Sequence, residues 1–210
     1  MIEIYAHRGS SGSYPENTMI AFREAERAGA DGIEFDVQMS KDDELVVIHD
    51  EKVNRTTNGK GWVREHTLKE LKQLNAGVKT KRHESIPTFE EVLAWAQDSA
   101  LKLNIELKTG LIPYAGIEEK LVEYIHRYGL SDRVIVSSFN HYSVEKIHKI
   151  NPELETAILF MEALFEPWKY AKSIGASGLH GYWKIATPEL IHDAHAAGMA
   201  FRPFTVNRNA

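Results

Sequence analysis

The sequence predicts an α/β fold, a TIM (β/α)8 barrel. Three observations carry that expectation. Strand-like and helix-like segments alternate along most of the 210 residues, which implies a parallel sheet with crossover helices. Polar residues fall at the C-terminal ends of many different strands: His7, Asp36, Glu106 to Lys108, Ser137 and Ser138, His180 and Asn207. Barrel enzymes carry their chemistry at that end. The competitor, a doubly wound open sheet, lacks support because there is no Gly-x-Gly-x-x-Gly fingerprint for a dinucleotide.

Each element follows from local pattern. Ile2–Ala6 reads as the first strand. Thr18–Ala28 is a helix, with Asn17 as N-cap and Gly29 as its stop. Gly32–Val37 is the second strand. Ser40 to Glu44 is too short for a crossover helix, so Leu45–Ile48 is the return arm of a hairpin. From Glu51 to Ile86 the pattern changes, and these residues are expected to form a small insertion subdomain within a single domain spanning 1–210. Thr67 to Glu70 within it has a capping-box pattern, and Thr88 with Glu91 repeats that pattern at the head of the helix Thr88–Gln97. Then come strand Lys102–Leu107, helix Ile117–Tyr128, strand Val134–Ser138, helix Ser143–Ile150 and strand Glu155–Phe160. Helix Pro167–Ile174, strand Gly178–His180, a helix opened by Thr187 and Pro188, and strand Ala200–Val206 complete the series. That makes seven parallel strands, where a closed barrel has eight.

Composition excludes several function classes. Net charge is −5 with no block of basic residues, so no nucleic-acid partner is expected. Lys79 to His83, the densest basic run, reads as a solvated loop. Cysteine is absent, which removes disulfide frameworks and thiolate metal sites. No apolar run approaches the roughly 20 residues of a membrane helix, and the first residues read as a strand instead of a signal peptide. A cytoplasmic protein without stable membrane insertion is expected.

The chemistry concentrates in two strands. On an extended strand, residues i and i+2 share a face. Glu34 and Asp36 therefore project together, as do Glu106 and Lys108, while Ile33, Phe35, Val37, Ile105 and Leu107 point the other way. Three carboxylates aimed at one spot repel unless a cation sits between them, and hard oxygen donors suit Mg²⁺ or Ca²⁺. His7 and His49 each end an apolar strand, so two imidazoles can divide acid and base work around a phosphorus. Arg8 has the planar fork that grips phosphate oxygens; its structural alternative is an ion pair with Glu3 or Glu24. Lys108 adds a second positive charge, or neutralises Glu106. Counting these five groups with one divalent ion leaves a site charge of about +1, matched to a phosphodiester monoanion. His180 ends a strand on the active face and is a candidate pocket residue. Phe139, Tyr182, Trp183 and Phe204 are candidates for an apolar wall, with core packing the alternative.

These residues lie in stretches that resemble the glycerophosphodiester phosphodiesterase family: Ala6-His7-Arg8-Gly9, Tyr14 to Thr18, Gly32 to Val37, Val46 to Asp50, Arg55 to Gly61, Ile86 to Leu93, Asn104 to Lys108, Ser137-Ser138-Phe139 and Thr205-Val206-Asn207. The resemblance implies hydrolysis of a small-molecule glycerophosphodiester to glycerol 3-phosphate and an alcohol. It implies acid–base roles for His7 and His49, metal ligation by Glu34, Asp36 and Glu106, and phosphate contacts from Arg8 and Lys108. Glu16 and Asn17 would support the loop carrying His7. The family has Trp where this chain has Phe204, and it continues past Thr-Val-Asn with a further helix and an eighth strand. A tail beyond the chain is expected on that ground. Attack by a glycerol hydroxyl through a cyclic phosphate and direct attack by water both stay open. So do two other functions: a lipid phosphodiesterase acting on lysophospholipids or phosphoinositides, and a non-catalytic ligand-binding barrel.

Overall fold

A computed structural model describes residues 2–207. The outer ends of the expected domain, residues 1 and 208–210, lie outside the described residues. Eight strands form one sheet: β1 (Tyr5–His7), β2 (Gly32–Met39), β3 (Leu45–Val47), β4 (Lys102–Leu107), β5 (Val134–Ser138), β6 (Glu155–Phe160), β7 (Gly178–Gly181) and β8 (Ala200–Phe201). Seven helices accompany them: α1 (Met19–Arg27), α2 (Leu68–Lys72), α3 (Phe89–Gln97), α4 (Ile117–Arg127), α5 (His141–Ile150), α6 (Pro167–Ser173) and α7 (Pro188–Ala196). The sheet order is β1-β2-β4-β5-β6-β7-β8, every neighbour parallel, with β3 returning antiparallel along β2. This is the sequential strand and helix order of a (β/α)8 barrel. Among the described residues β8 has no pairing with β1.

Strand alternation sorts the side chains into two layers. Ile33, Phe35, Val37, Leu103, Ile105 and Leu107 are fully buried together with Phe22 of α1, Phe89 of α3 and Leu121 of α4. Phe35 packs against Phe22 at 5.6 Å and Phe89 at 6.2 Å between ring centroids. The alternate residues Glu34, Asp36, Gln38, Asn104 and Glu106 are buried as well. Burying that many polar groups is costly unless each finds a partner. The partners are largely present: Asn104 Oδ1 accepts from Ser137 Oγ at 3.0 Å, and Gln38 Nε2 donates to the carbonyls of Ile48, His49 and Asp50.

Several element boundaries differ from expectation. The first strand pairs only over Tyr5–His7, and Ile2 and Ile4 are exposed. The N-cap of α1 is Thr18, whose hydroxyl accepts from the Ala21 amide. Asn17 is not the cap; it spends its amide on Asp36, Nδ2 donating to Oδ2 at 2.8 Å. The last strand spans only Ala200–Phe201, although the amides of Arg202 and Phe204 still reach Leu179 O at 2.9 Å and Gly181 O at 3.0 Å. Both capping boxes form, at Thr67 with Glu70 and at Thr88 with Glu91. Between β3 and α3, Val53, Val63, Leu71, Ala76 and Ile86 pack on Val46 and Ile48 as a small apolar cluster of their own. No helix among the described residues is long and apolar enough to cross a membrane.

Candidate active site

Register places the acidic groups. His7 is opposite Glu34 across β1 and β2, Glu34 is opposite Asn104, and Asp36 is opposite Glu106 across β2 and β4. One carboxylate oxygen from each of Glu34, Asp36 and Glu106 lies within 4.8 Å of the other two. The trio is buried, and Asp36 Oδ1 has no hydrogen-bond partner. Burial and the neighbouring charges of Asp36 and Glu106 push the Glu34 carboxyl well above its usual range. Burial and Asp36 raise Glu106 too, against the pull of Lys108. Buried, mutually repelling oxygens with an orphaned acceptor form a donor set that fits a divalent cation.

The first βα loop delivers His7 and Arg8. Arg8 and Gly9 both adopt positive φ, 57° and 74°. A Cβ on Gly9 would stand 2.7 Å from the Ala21 carbonyl carbon, so glycine is required there. The turn aims the Arg8 amide at Glu34, bonding its carbonyl at 2.8 Å and its Oε2 at 3.0 Å. Arg8 pairs with neither Glu3 nor Glu24. Its Nη1 donates to Glu16 Oε1 at 2.9 Å, and its Nε lies 3.4 Å from Asp36 Oδ2. His7 Nε2 stands 3.8 Å from Glu34 Oε2. Burial, reinforced by the Arg8 charge, lowers the His7 imidazole to about 4 and keeps it neutral near pH 7.

The β3 hairpin delivers His49. Its Nδ1 is 2.6 Å from Asp50 Oδ1, and its Nε2 is 3.3 Å from Lys108 Nζ. Arg55 holds Asp50 through two bonds, Nε to Oδ2 at 2.6 Å and Nη2 to Oδ1 at 2.8 Å. That bond pattern keeps the Asp50 carboxyl far below its usual range, so the carboxylate only accepts and His49 Nδ1 carries the donated proton. Lys108 Nζ donates to Glu106 Oε1 at 2.7 Å and lies 3.9 Å from Asp36 Oδ1.

His7, Arg8, His49, Glu106 and Phe204 face one cavity of about 380 Å³. Phe139, Met161, Tyr182, Trp183 and Thr205 complete its lining. One half is charged and the other is aromatic, with Phe139 edge-on to Phe204 at 5.8 Å and Tyr182 6.3 Å from Phe204. His180 is not part of this lining. It is 2 % exposed beside Arg202, its imidazole held neutral by burial, down to about 3. Sequence reasoning missed Asp50, Arg55, Gln38 and Met161. Glu16, Asp50 and Arg55 alter the charge count: five carboxylates, Glu16, Glu34, Asp36, Asp50 and Glu106, face three cationic side chains, Arg8, Arg55 and Lys108. The site therefore carries about −2 before any ion and is about neutral with a divalent one, below the +1 expected.

Comparisons with known proteins agree with this architecture. The family model for the "Glycerophosphoryl diester phosphodiesterase family" matches residues 7–210. A glycerophosphodiester phosphodiesterase of Bacillus altitudinis is 49% identical over 213 residues, covering 99% of this chain and 87% of that protein. One from Caldanaerobacter subterraneus subsp. tengcongensis is 47% identical over 208 residues, covering 98% and 86%. Among solved structures, an Oleispira antarctica phosphodiesterase in complex with the product sn-glycerol-3-phosphate superposes with a TM-score of 0.90 at 31% identity, covering 99% of this chain and 86% of that one. With a family match over nearly its whole length and relatives close to half identical, this chain belongs to the glycerophosphoryl diester phosphodiesterase family.

Proposed function

We propose that this enzyme hydrolyses glycerophosphodiesters to sn-glycerol 3-phosphate and an alcohol, with a divalent cation and two histidines. The observation that carries the proposal is the buried carboxylate trio, whose Glu106 lines, beside His7 and His49, a cavity walled on its other side by aromatic rings. Family membership and the product held by the Oleispira antarctica relative support the substrate class.

Glu34, Asp36 and Glu106 would hold Mg²⁺ or Ca²⁺, which supplies positive charge for the phosphate oxygens when bound. The protein's own residues do the rest. Arg8 lines the cavity and sets its charge where the phosphate would sit, and Lys108, bonded to Glu106 and facing His49, adds positive charge behind that lining. Neutral His7 accepts a proton from the attacking hydroxyl. Asp50, 2.6 Å from His49 Nδ1, stabilises the imidazolium of His49, which releases its Nε2 proton to the leaving oxygen. Lys108 Nζ, 3.3 Å from Nε2, can only donate, so it bonds that nitrogen once the proton has left. The aromatic wall of Phe139, Tyr182 and Phe204 excludes water around the carbon skeleton. We place the whole site in one barrel domain, with the 51–86 segment as a subdomain that supplies Arg55.

Replacing His7 or His49 with Ala is expected to lower turnover of glycerophosphocholine with added Mg²⁺ or Ca²⁺ by about 10²- to 10⁴-fold. Turnover close to wild type in either variant would refute the acid–base assignment. A second substrate class, lysophospholipids, is favoured by one feature: Phe139, Met161 and Trp183 are 42%, 44% and 44% exposed at the cavity mouth, leaving an apolar exit for an acyl chain. A panel of substrates with and without acyl chains separates the two.

A further inference from the structure

The two histidines arrive on different strands, and nothing in either strand ties them to each other. The tie is a carboxylate–guanidinium chain between the loops. Glu16 sits in the loop after β1, and its Oε1 accepts from Arg8 Nη1 at 2.9 Å. Asp50 follows His49 and accepts from its ring at 2.6 Å. Arg55 spans the two carboxylates with four bonds: Nε and Nη2 to Asp50 at 2.6 and 2.8 Å, Nη1 and Nη2 to Glu16, both at 2.7 Å. Both carboxylates are pulled below their usual range, Glu16 to about 2, by these same guanidinium bonds. Arg55 itself does not line the cavity.

We propose that Arg55 is a positioning residue that joins the Arg8 side and the His49 side of the reaction centre into one rigid unit. Its planar fork meets two carboxylates edge-on, which an ammonium cannot do. Fixing Asp50 fixes which His49 nitrogen carries the proton and turns Nε2 toward the cavity. Fixing Glu16 holds Arg8 against Asp36. The 51–86 segment thereby acts on catalysis without touching substrate.

The inference rests on the hydrolytic reading above, so its test has one arm that needs no substrate. Nitrogen-15 NMR of the histidine rings should show the His49 Nδ1 proton shifted far downfield in wild type and lost or moved upfield in Arg55→Ala. In glycerophosphocholine turnover with Mg²⁺, Arg55→Ala is expected to lose about a hundredfold in kcat with KM changed little, as displaced catalytic groups do. Added guanidinium chloride should recover about tenfold of that loss. Arg55→Lys, which keeps the charge and the fold, should stay impaired. Lys72→Gln breaks another ion pair of the same segment, with Glu91 at 2.7 Å, and should keep wild-type turnover. The proposal is overturned if Arg55→Ala retains kcat within about threefold, if guanidinium rescues nothing, if Arg55→Lys restores full turnover, or if Lys72→Gln is impaired equally. If wild type hydrolyses no glycerophosphodiester, the hydrolytic reading fails, and the His49 proton signal still decides whether Arg55 sets that ring.

Discussion

The energetics of the site are decided by single side chains held against their own preference. Glu34 is buried, crowded by Asp36 and Glu106, and pushed toward its neutral form. A cation held among them would relieve that crowding and so add to stability. Stripping the protein with a chelator and then adding Mg²⁺ or Ca²⁺ should raise its melting temperature, by about 2.7 kcal/mol of stability at a hundredfold excess over Kd. Glu34→Gln keeps an oxygen for the Arg8 amide but removes one charge. It should melt higher than wild type in chelator and gain less on adding metal, read by calorimetry. An unchanged metal response would show that Glu34 is not a ligand. Glu34 and Asp36 were legible as a pair because strand periodicity puts i and i+2 on one side, and Glu106 meets them through the β2–β4 register. Arg55 was not, because its carboxylate partner Glu16 is 39 residues away, and no local pattern in Arg-Thr-Thr announces a partner at that distance.

At the scale of elements, capping and register do the positioning. The Thr88 hydroxyl accepts from the Glu91 amide at 3.0 Å, and the Glu91 carboxylate accepts from the Thr88 amide at 2.8 Å. Thr88→Ala should cost about 1 kcal/mol in urea denaturation while leaving turnover unchanged, because it removes the cap and keeps the Thr88 backbone bridge to Val46 of β3. Phe35→Ala should cost about 3–5 kcal/mol, since its ring fills space between Phe22 and Phe89. Capping boxes and helix faces were readable from residue type. Strand ends were not. Ile2 and Ile4 have the composition of a strand, yet β1 pairs over three residues. Asn17 has a cap's chemistry, yet the demand of buried Asp36 for a donor takes its amide. Tertiary satisfaction of a buried carboxylate outweighs a local cap, whose worth is about 1 kcal/mol.

For the molecule as a whole, the polar interior sets the response to acid. His180 is buried with Arg202, which in turn pairs with Glu155 at 2.8 Å. Burial first, then the Arg202 charge, lowers its imidazole to about 3. Above pH 6.5 the ring is neutral in both folded and unfolded chains and the stability is fully present. As pH falls below 6.5 the unfolded chain takes up a proton that the folded chain refuses, so stability drops, and continues to drop until about pH 3. Between pH 6.5 and 5 the loss is about 2 kcal/mol. His180→Gln should flatten that part of the pH–stability curve, measured by denaturant titration; an unchanged slope would rule the ring out as its origin. The strand-end pattern that foretold a barrel did not separate this buried ring from the cavity wall, since both lie at the same end of the sheet. Glu34, Asp36 and Gln38 alternate with Ile33, Phe35 and Val37, so slipping β2 by one position would bury acids in oil and crowd hydrocarbon among the polar groups of the other layer at a stroke. A slipped molecule thus forfeits its acidic trio and its packing together. Lowering expression quality should therefore shrink the recovered yield while each milligram that survives works equally well.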